Sequence, residues 1–166
     1  MRYASETTVP VERTRQEIED TLQKYGATAF HHGWESGRAM VAFRLKDLFI
    51  RFVLPFPDRT AQDITHKLVK QSRSKRWVAR TEGQVEATYQ QHLRQRWRAL
   101  LLTVKAKLEA VECGISTVEQ EFLAFIVLPG EQGATVGDYI IEQALPQIRG
   151  GHMPKSLLGP AAGGGP

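Results

Sequence analysis

Hydrophobic positions along the chain change period several times, and each change marks an element. Val11, Ile18, Leu22 and Tyr25 recur at spacings of seven, four and three behind Pro10, a first-turn proline, and the pattern stops at Gly26. This spacing predicts an amphipathic helix with a glycine stop. From Ala27 the period falls to two: Val41, Phe43 and Leu45 alternate with Ala42 and Arg44, and Ile50, Phe52 and Leu54 alternate with Arg51 and Val53. Three strands joined by tight turns at Ser36-Gly37 and Lys46-Asp47 are expected, with Pro55 and Pro57 ending the third.

No sustained period runs from Pro55 to Gly83, although Ile64, Leu68 and Val69 would fit one helical turn. Thr81 and Gln84 then have capping-box spacing, and Val85, Tyr89, Leu93, Trp97, Leu100, Val104, Leu108 and Val111 step by threes and fours to Gly114. These predict a long helix. Ser116 with Glu119 suggests a further start, for a helix through Phe122, Phe125 and Ile126 toward Pro129. Thr135 with Asp138 suggests another, carrying Val136, Tyr139, Ile140 and Leu145 until Pro146 bends or ends it. The expected architecture is a single α+β domain over residues 1–150: N-terminal helix, three-stranded antiparallel β-meander, long basic loop over 55–83, a long helix and two shorter C-terminal helices. Helices should cover one face of the meander and leave the other for a ligand or a second subunit. Residues 151–166, rich in Gly, Pro and Ala, read as a disordered tail.

Composition adds little until charge is mapped. The chain has 166 residues and a formal net charge of +4, yet eleven of its 22 Lys and Arg lie between Ile64 and Leu108, with only Glu82 and Glu86 opposing them. Such a cluster suits a polyanion. Lys67, Lys70, Arg73, Lys75, Arg76 and Arg80 sit in the loop, where they would capture phosphates. Trp77 lies among them, and either stacks on an unpaired base or tucks into the core and pins the loop. On the long helix, Arg94, Arg98 and Lys105 form one stripe beside the apolar face, where they line a groove or snorkel; Trp97 points to the core.

Other chemistry finds less support. His31 and His32 are adjacent on a strand and point to opposite faces, so they do not share a metal. One of them is expected beside Trp34 and Arg44 on the exposed face. Glu109, Glu112, Glu119 and Glu121 are the best carboxylates for a hard cation, and their simpler reading is a solvated helix end. Cys113, the sole cysteine, excludes an intramolecular disulfide and is read as buried or passive. No phosphate-binding glycine pattern precedes a helix. The reading has no catalytic residue, no metal and no cofactor. No stretch has signal-peptide or membrane-spanning character, so a cytoplasmic protein without a membrane partner is expected.

Arg96-Trp97-Arg98-Ala99-Leu100, the run from Lys105 to Glu112, Gly114-Ile115, Glu121-Phe122-Leu123-Ala124 and Val127-Leu128-Pro129, with Gly26-Ala27 and the Arg38 to Pro55 hairpin, resemble a group of small uncharacterised phage and prophage proteins. The resemblance implies a protein of the infected bacterial cytoplasm that handles viral DNA or binds a host factor, and it carries no functional residue. The favoured function is non-enzymatic binding of nucleic acid, single-stranded DNA first, in phage or prophage DNA metabolism. The alternative is a protein-binding module that inhibits or recruits a host or viral protein, or forms a homodimer. A metal-dependent nuclease comes third.

Overall fold

A computed structural model describes residues 4, 6–71, 74–130, 133–152 and 154. The predicted tail lies almost wholly outside them. Helix α1 (Val11–Lys24) follows Pro10 and turns out through Gly26, which takes a φ of 86°. Strands β1 (Ala27–Glu35), β2 (Arg38–Leu45) and β3 (Leu48–Pro55) form the expected antiparallel meander in the order β1-β2-β3. Ser36 and Gly37 both take positive φ, 40° and 80°, the twist that a two-residue hairpin requires.

Register sorts the sheet's side chains. Phe30, Phe43 and Ile50 share one row, and His32, Val41 and Phe52 the next, so these face inward; Ala42, Arg44, Phe49 and Arg51 face outward. On the inner side lies α3 (Glu82–Glu112), about 46 Å long at 1.5 Å per residue. Its amide cap forms as the spacing predicts, with the Thr81 N–H donating to Gln84 Oε1 at 3.1 Å. Trp97, Leu100, Leu101, Val104 and Leu108 press on Val41, Phe43, Leu45, Ile50 and Phe52, while Ile18 and Leu22 of α1 close the side. Phe122 stands edge-on to Phe43 and Phe52 at centroid distances of 5.9 and 6.3 Å.

The buried positions that α3 gives to this core run from Trp97 to Leu108, with Leu93 packed at its margin. The first half holds a smaller cluster in which Tyr89 and Ile64 are buried and the Arg59 guanidinium lies 3.8 Å over the Tyr89 ring. Arg59 also pairs with Glu86, whose carboxyl is thereby held below its usual range.

Among its described residues, the segment expected to be a loop forms regular secondary structure. It contains a short helix α2 (Gln62–Thr65) and an antiparallel hairpin of β4 (His66–Gln71) and β5 (Ser74–Ala79). Leu68 and Val69 belong to a strand rather than to a helical turn.

The C-terminal third needs one correction, and it decides between the two outcomes expected at Pro146. The second box is built one residue later than expected: the Thr117 N–H donates to Gln120 Oε1 at 2.9 Å and opens α4 (Val118–Phe122), while Ser116 Oγ donates to Glu121 at 2.7 Å. The chain then leaves the helix through a 3-10 turn over Leu123–Phe125, because the open edge of β3 recruits it: the Val127 N–H donates to the Phe49 carbonyl at 2.8 Å. Thr135 and Asp138 do start a helix, and it does not end at Pro146. It runs as α5 (Val136–Tyr139), one wide π turn (Ile140–Ala144) and α6 (Leu145–Arg149), the wide turn accommodating the missing proline N–H and the ring that would strike a regular preceding turn. Among the described residues, no helix is long and apolar enough to cross a membrane.

Two outcomes follow from this packing. Leu101 is fully buried at the sheet contact, so Leu101→Ala lowers unfolding free energy by about 2 to 5 kcal/mol in urea titration, whereas Ile141→Ala, at an exposed position, stays within about 0.5 kcal/mol. Asp138 accepts from the Thr135 N–H and hydroxyl, both at 2.9 Å, and lies 3.8 Å from Arg51. The backbone bond first, the hydroxyl next and then Arg51 hold its carboxyl below the usual aspartate value. A depressed folded value means that its stabilisation is present above about pH 4 and lost as pH falls through the folded value. The gap in urea midpoint between the wild type and Asp138→Asn therefore shrinks between about pH 6 and pH 2.5.

Candidate nucleic-acid interface

Arg80 fixes where the basic hairpin can go. Its Nη1 donates to the carbonyls of Asp63 at 2.7 Å, Ile64 at 3.1 Å and His66, and its own N–H donates to the Thr65 carbonyl at 2.9 Å. These bonds gather the end of α2 and the base of β4 around the residue that leads from β5 into α3. His92 of α3 lies 3.9 Å from the Asp63 carboxylate of α2. Beyond this base the hairpin stands away from the core, with Lys67, Leu68, Val69, Lys70, Lys75, Arg76 and Trp77 all exposed.

The hairpin pairs Lys67 with Val78, Leu68 with Trp77, Val69 with Arg76 and Lys70 with Lys75. Opposed residues share a face in an antiparallel ladder, so His66, Leu68, Lys70, Lys75, Trp77 and Ala79 occupy one side, and Lys67, Val69, Arg76 and Val78 the other. No acid lies anywhere between residues 66 and 79. Trp77 is 44% exposed and Leu68 across from it 46%. Core anchoring of Trp77 is thus overturned: the indole is exposed and is not among the side chains of the core.

Cations on the long helix have a different fate. Arg98 pairs with Glu17 of α1 at 2.7 Å, and Arg94 donates through Nε to Gln91 Oε1 at 3.2 Å. Arg96 donates to the Pro55 carbonyl, and Lys107 donates to the Glu121 carbonyl at 2.7 Å while lying over the Phe122 and Phe125 rings. Arg98, Arg96 and Lys107 fasten α3 to its neighbours, whereas Arg94 is held within the helix itself. Lys105 is exposed. It lies about 35 Å along the axis from the start of α3, where the hairpin joins, and the hairpin packs at its base on α2 without being laid along α3. Helix stripe and hairpin therefore do not make one continuous track. Arg73 lies outside the described residues.

Other expected features also separate. Trp34 is 78% exposed, but its row, with Ala39, faces inward while Arg44 faces outward, so the anticipated patch of Trp34 and Arg44 does not exist. His31 faces outward and His32 inward beside Phe30, at a ring distance of 5.9 Å. Glu109 accepts from the Tyr25 hydroxyl at 3.1 Å, Glu121 is held by Ser116 and Lys107, and Glu119 lies 4.0 Å from Lys46. Among the described residues, no three His, Cys, Asp or Glu side chains converge as a metal site requires. Cys113 is exposed rather than buried, and desolvation and then the neighbouring Glu109 raise its pKa.

Sequence reasoning did not anticipate a cleft of about 650 Å³ on the outer face of the sheet, lined by Arg38, Arg51, Val53, Asp138 and Tyr139 among others. Among the described residues, Arg51 Nε is buried there without a hydrogen-bond partner. The residues come from β2, β3 and α5, which no local pattern relates.

No family model, no curated protein and no solved structure matches this chain.

The role of Arg80 has a direct check. Arg80→Met leaves three carbonyls without their donor and loosens the hairpin base. Amide exchange over residues 66–79 rises, while protection in the second half of α3 is unchanged. Equal protection of the hairpin in both proteins would show that Arg80 does not hold it.

Proposed function

We propose that this protein is a non-enzymatic nucleic-acid-binding protein that uses the β4–β5 hairpin as its contact, with single-stranded DNA the favoured ligand. The observation that carries this reading is one of supply. Lys67, Lys70, Lys75 and Arg76 are exposed on a ribbon without an acid, and an exposed tryptophan lies among them. Ammonium and guanidinium groups displace counterions from phosphates and give affinity without reading sequence. An indole offers a face on which any unpaired base can stack, worth about 1 to 3 kcal/mol. Arg94, Arg98 and Arg80 are occupied within the fold, so this reading narrows the contact to the hairpin, with Lys105 a remote addition. The setting of phage or prophage DNA metabolism rests on the sequence resemblance.

The rival reading, a module that docks on a host or viral protein, also accommodates a basic hairpin if the partner is acidic. Stacking distinguishes them, because a partner protein offers no base to Trp77.

Fluorescence anisotropy with labelled oligothymidylate, across a salt series, tests the proposal. The four described hairpin cations together with Arg73 give a log–log salt slope of up to about −3.5, at roughly −0.7 per phosphate neutralised on a single strand. Binding that is absent at low salt, or indifferent to salt, would sink it.

A further inference from the structure

We propose that the hairpin grips a single strand with one face only, the face of Leu68, Lys70, Lys75 and Trp77, and that Lys70 and Lys75 act as a phosphate clamp whose occupation orders the ribbon. This rests on the reading of the hairpin as the nucleic-acid contact.

Lys70 and Lys75 are directly opposed in the ladder, one pair in from its last pair, Gln71 with Ser74. Side chains so placed start from Cβ atoms about 5 Å apart, and like charges there destabilise the pairing. With no acid between residues 66 and 79, nothing in the ribbon itself relieves the repulsion. A phosphodiester oxygen pair held between the two ammonium groups does relieve it, through charge-assisted hydrogen bonds to both. One step toward the base on the same face, about 6.6 Å along the strand, Trp77 faces Leu68. Clamp and platform are thus spaced so that one nucleotide reaches both, its phosphate between the lysines and its base on the indole. A base in a duplex is stacked and paired and does not reach that platform, which selects single strands.

The opposite face has the same number of described cations in a different arrangement. Arg76 is opposed by Val69 and Lys67 by Val78. Among the described residues of the ribbon, neither cation is opposed by another and no aromatic residue shares their face, so this face supplies long-range attraction and no seat for a nucleotide. A second copy of the chain is a poor occupant of the clamp face, since two such ribbons would bring four lysines together.

Because the described Lys and Arg of the two faces differ in arrangement and not in number, two double variants of the full chain separate them. Lys70→Gln with Lys75→Gln, and Lys67→Gln with Arg76→Gln, each remove two charges from exposed positions, and thermal unfolding shows whether both retain the wild-type fold. In anisotropy titrations with labelled oligothymidylate, the clamp-face pair weakens binding about tenfold or more beyond the other pair. Trp77→Leu weakens it about tenfold, the size of one stacked base, with the salt slope unchanged. Amide exchange over residues 66–79 slows on adding oligothymidylate to the wild type and does not slow in the Lys70/Lys75 variant.

Equal weakening by the two pairs would overturn the one-face proposal while leaving the hairpin as the binding element. No weakening by either would overturn the hairpin reading itself. A hairpin whose exchange does not change on saturation by oligothymidylate would remove the ordering role from the clamp. Tighter binding of a duplex of the same sequence would remove the selection for single strands.

Discussion

Contact between the second half of α3 and the inner face of the meander is the constraint from which the rest of the architecture follows. Leu101, Val104 and Leu108 fill the rows set by Val41, Phe43 and Ile50, and Phe122 locks the end of that layer through two edge-on ring contacts. Once this half is fixed, the first half must extend past the sheet, because a 31-residue helix is longer than the strands it covers. The overhang needs its own support. Tyr89, Ile64 and Arg59 supply it, and Arg80 then carries the hairpin from that outlying cluster rather than from the core.

This arrangement divides the basic residues by where they lie on one helix and its leader. Where α3 meets other elements, a cation with an acceptor in reach becomes part of the scaffold: Arg98 with Glu17, Arg96 with the Pro55 carbonyl and Lys107 with Glu121. In the hairpin no acid is present and, beyond its base on α2, the described strand residues are largely exposed, so the same residue types remain at the surface. Chemically similar side chains thus serve cohesion in one place and are available for an external anion in the other.

Much of the fold is legible in the amino-acid sequence, since its signals are local. Period-two alternation around Val41 and Ile50, the 3.6-residue steps from Val85 to Val111 and the Thr81–Gln84 box each depend on neighbours a few residues away. The β4–β5 hairpin is not legible for an equally physical reason. Both of its faces meet solvent, so neither strand is consistently apolar on one side, and its turn lacks the Gly, Asn or Pro that announces a hairpin. The exit at Leu123 and the passage through Pro146 were hidden too. One is decided by the β3 edge and the other by a wide turn that absorbs the proline.

The sequence by itself determined the order of the main elements, the inward faces of the meander and long helix, and the concentration of positive charge before and along α3. Only the tertiary structure decided which of those charges remain available. Availability depends on acceptors brought from far along the chain, such as Glu17 to Arg98, Pro55 to Arg96 and the carbonyls of residues 63–66 to Arg80. Likewise, it is cross-strand register rather than spacing that sets Lys70 against Lys75 and Trp77 against Leu68. A charge cluster is a property of composition along the chain, whereas a binding face is a property of which side chains the folded backbone points the same way and leaves uncovered.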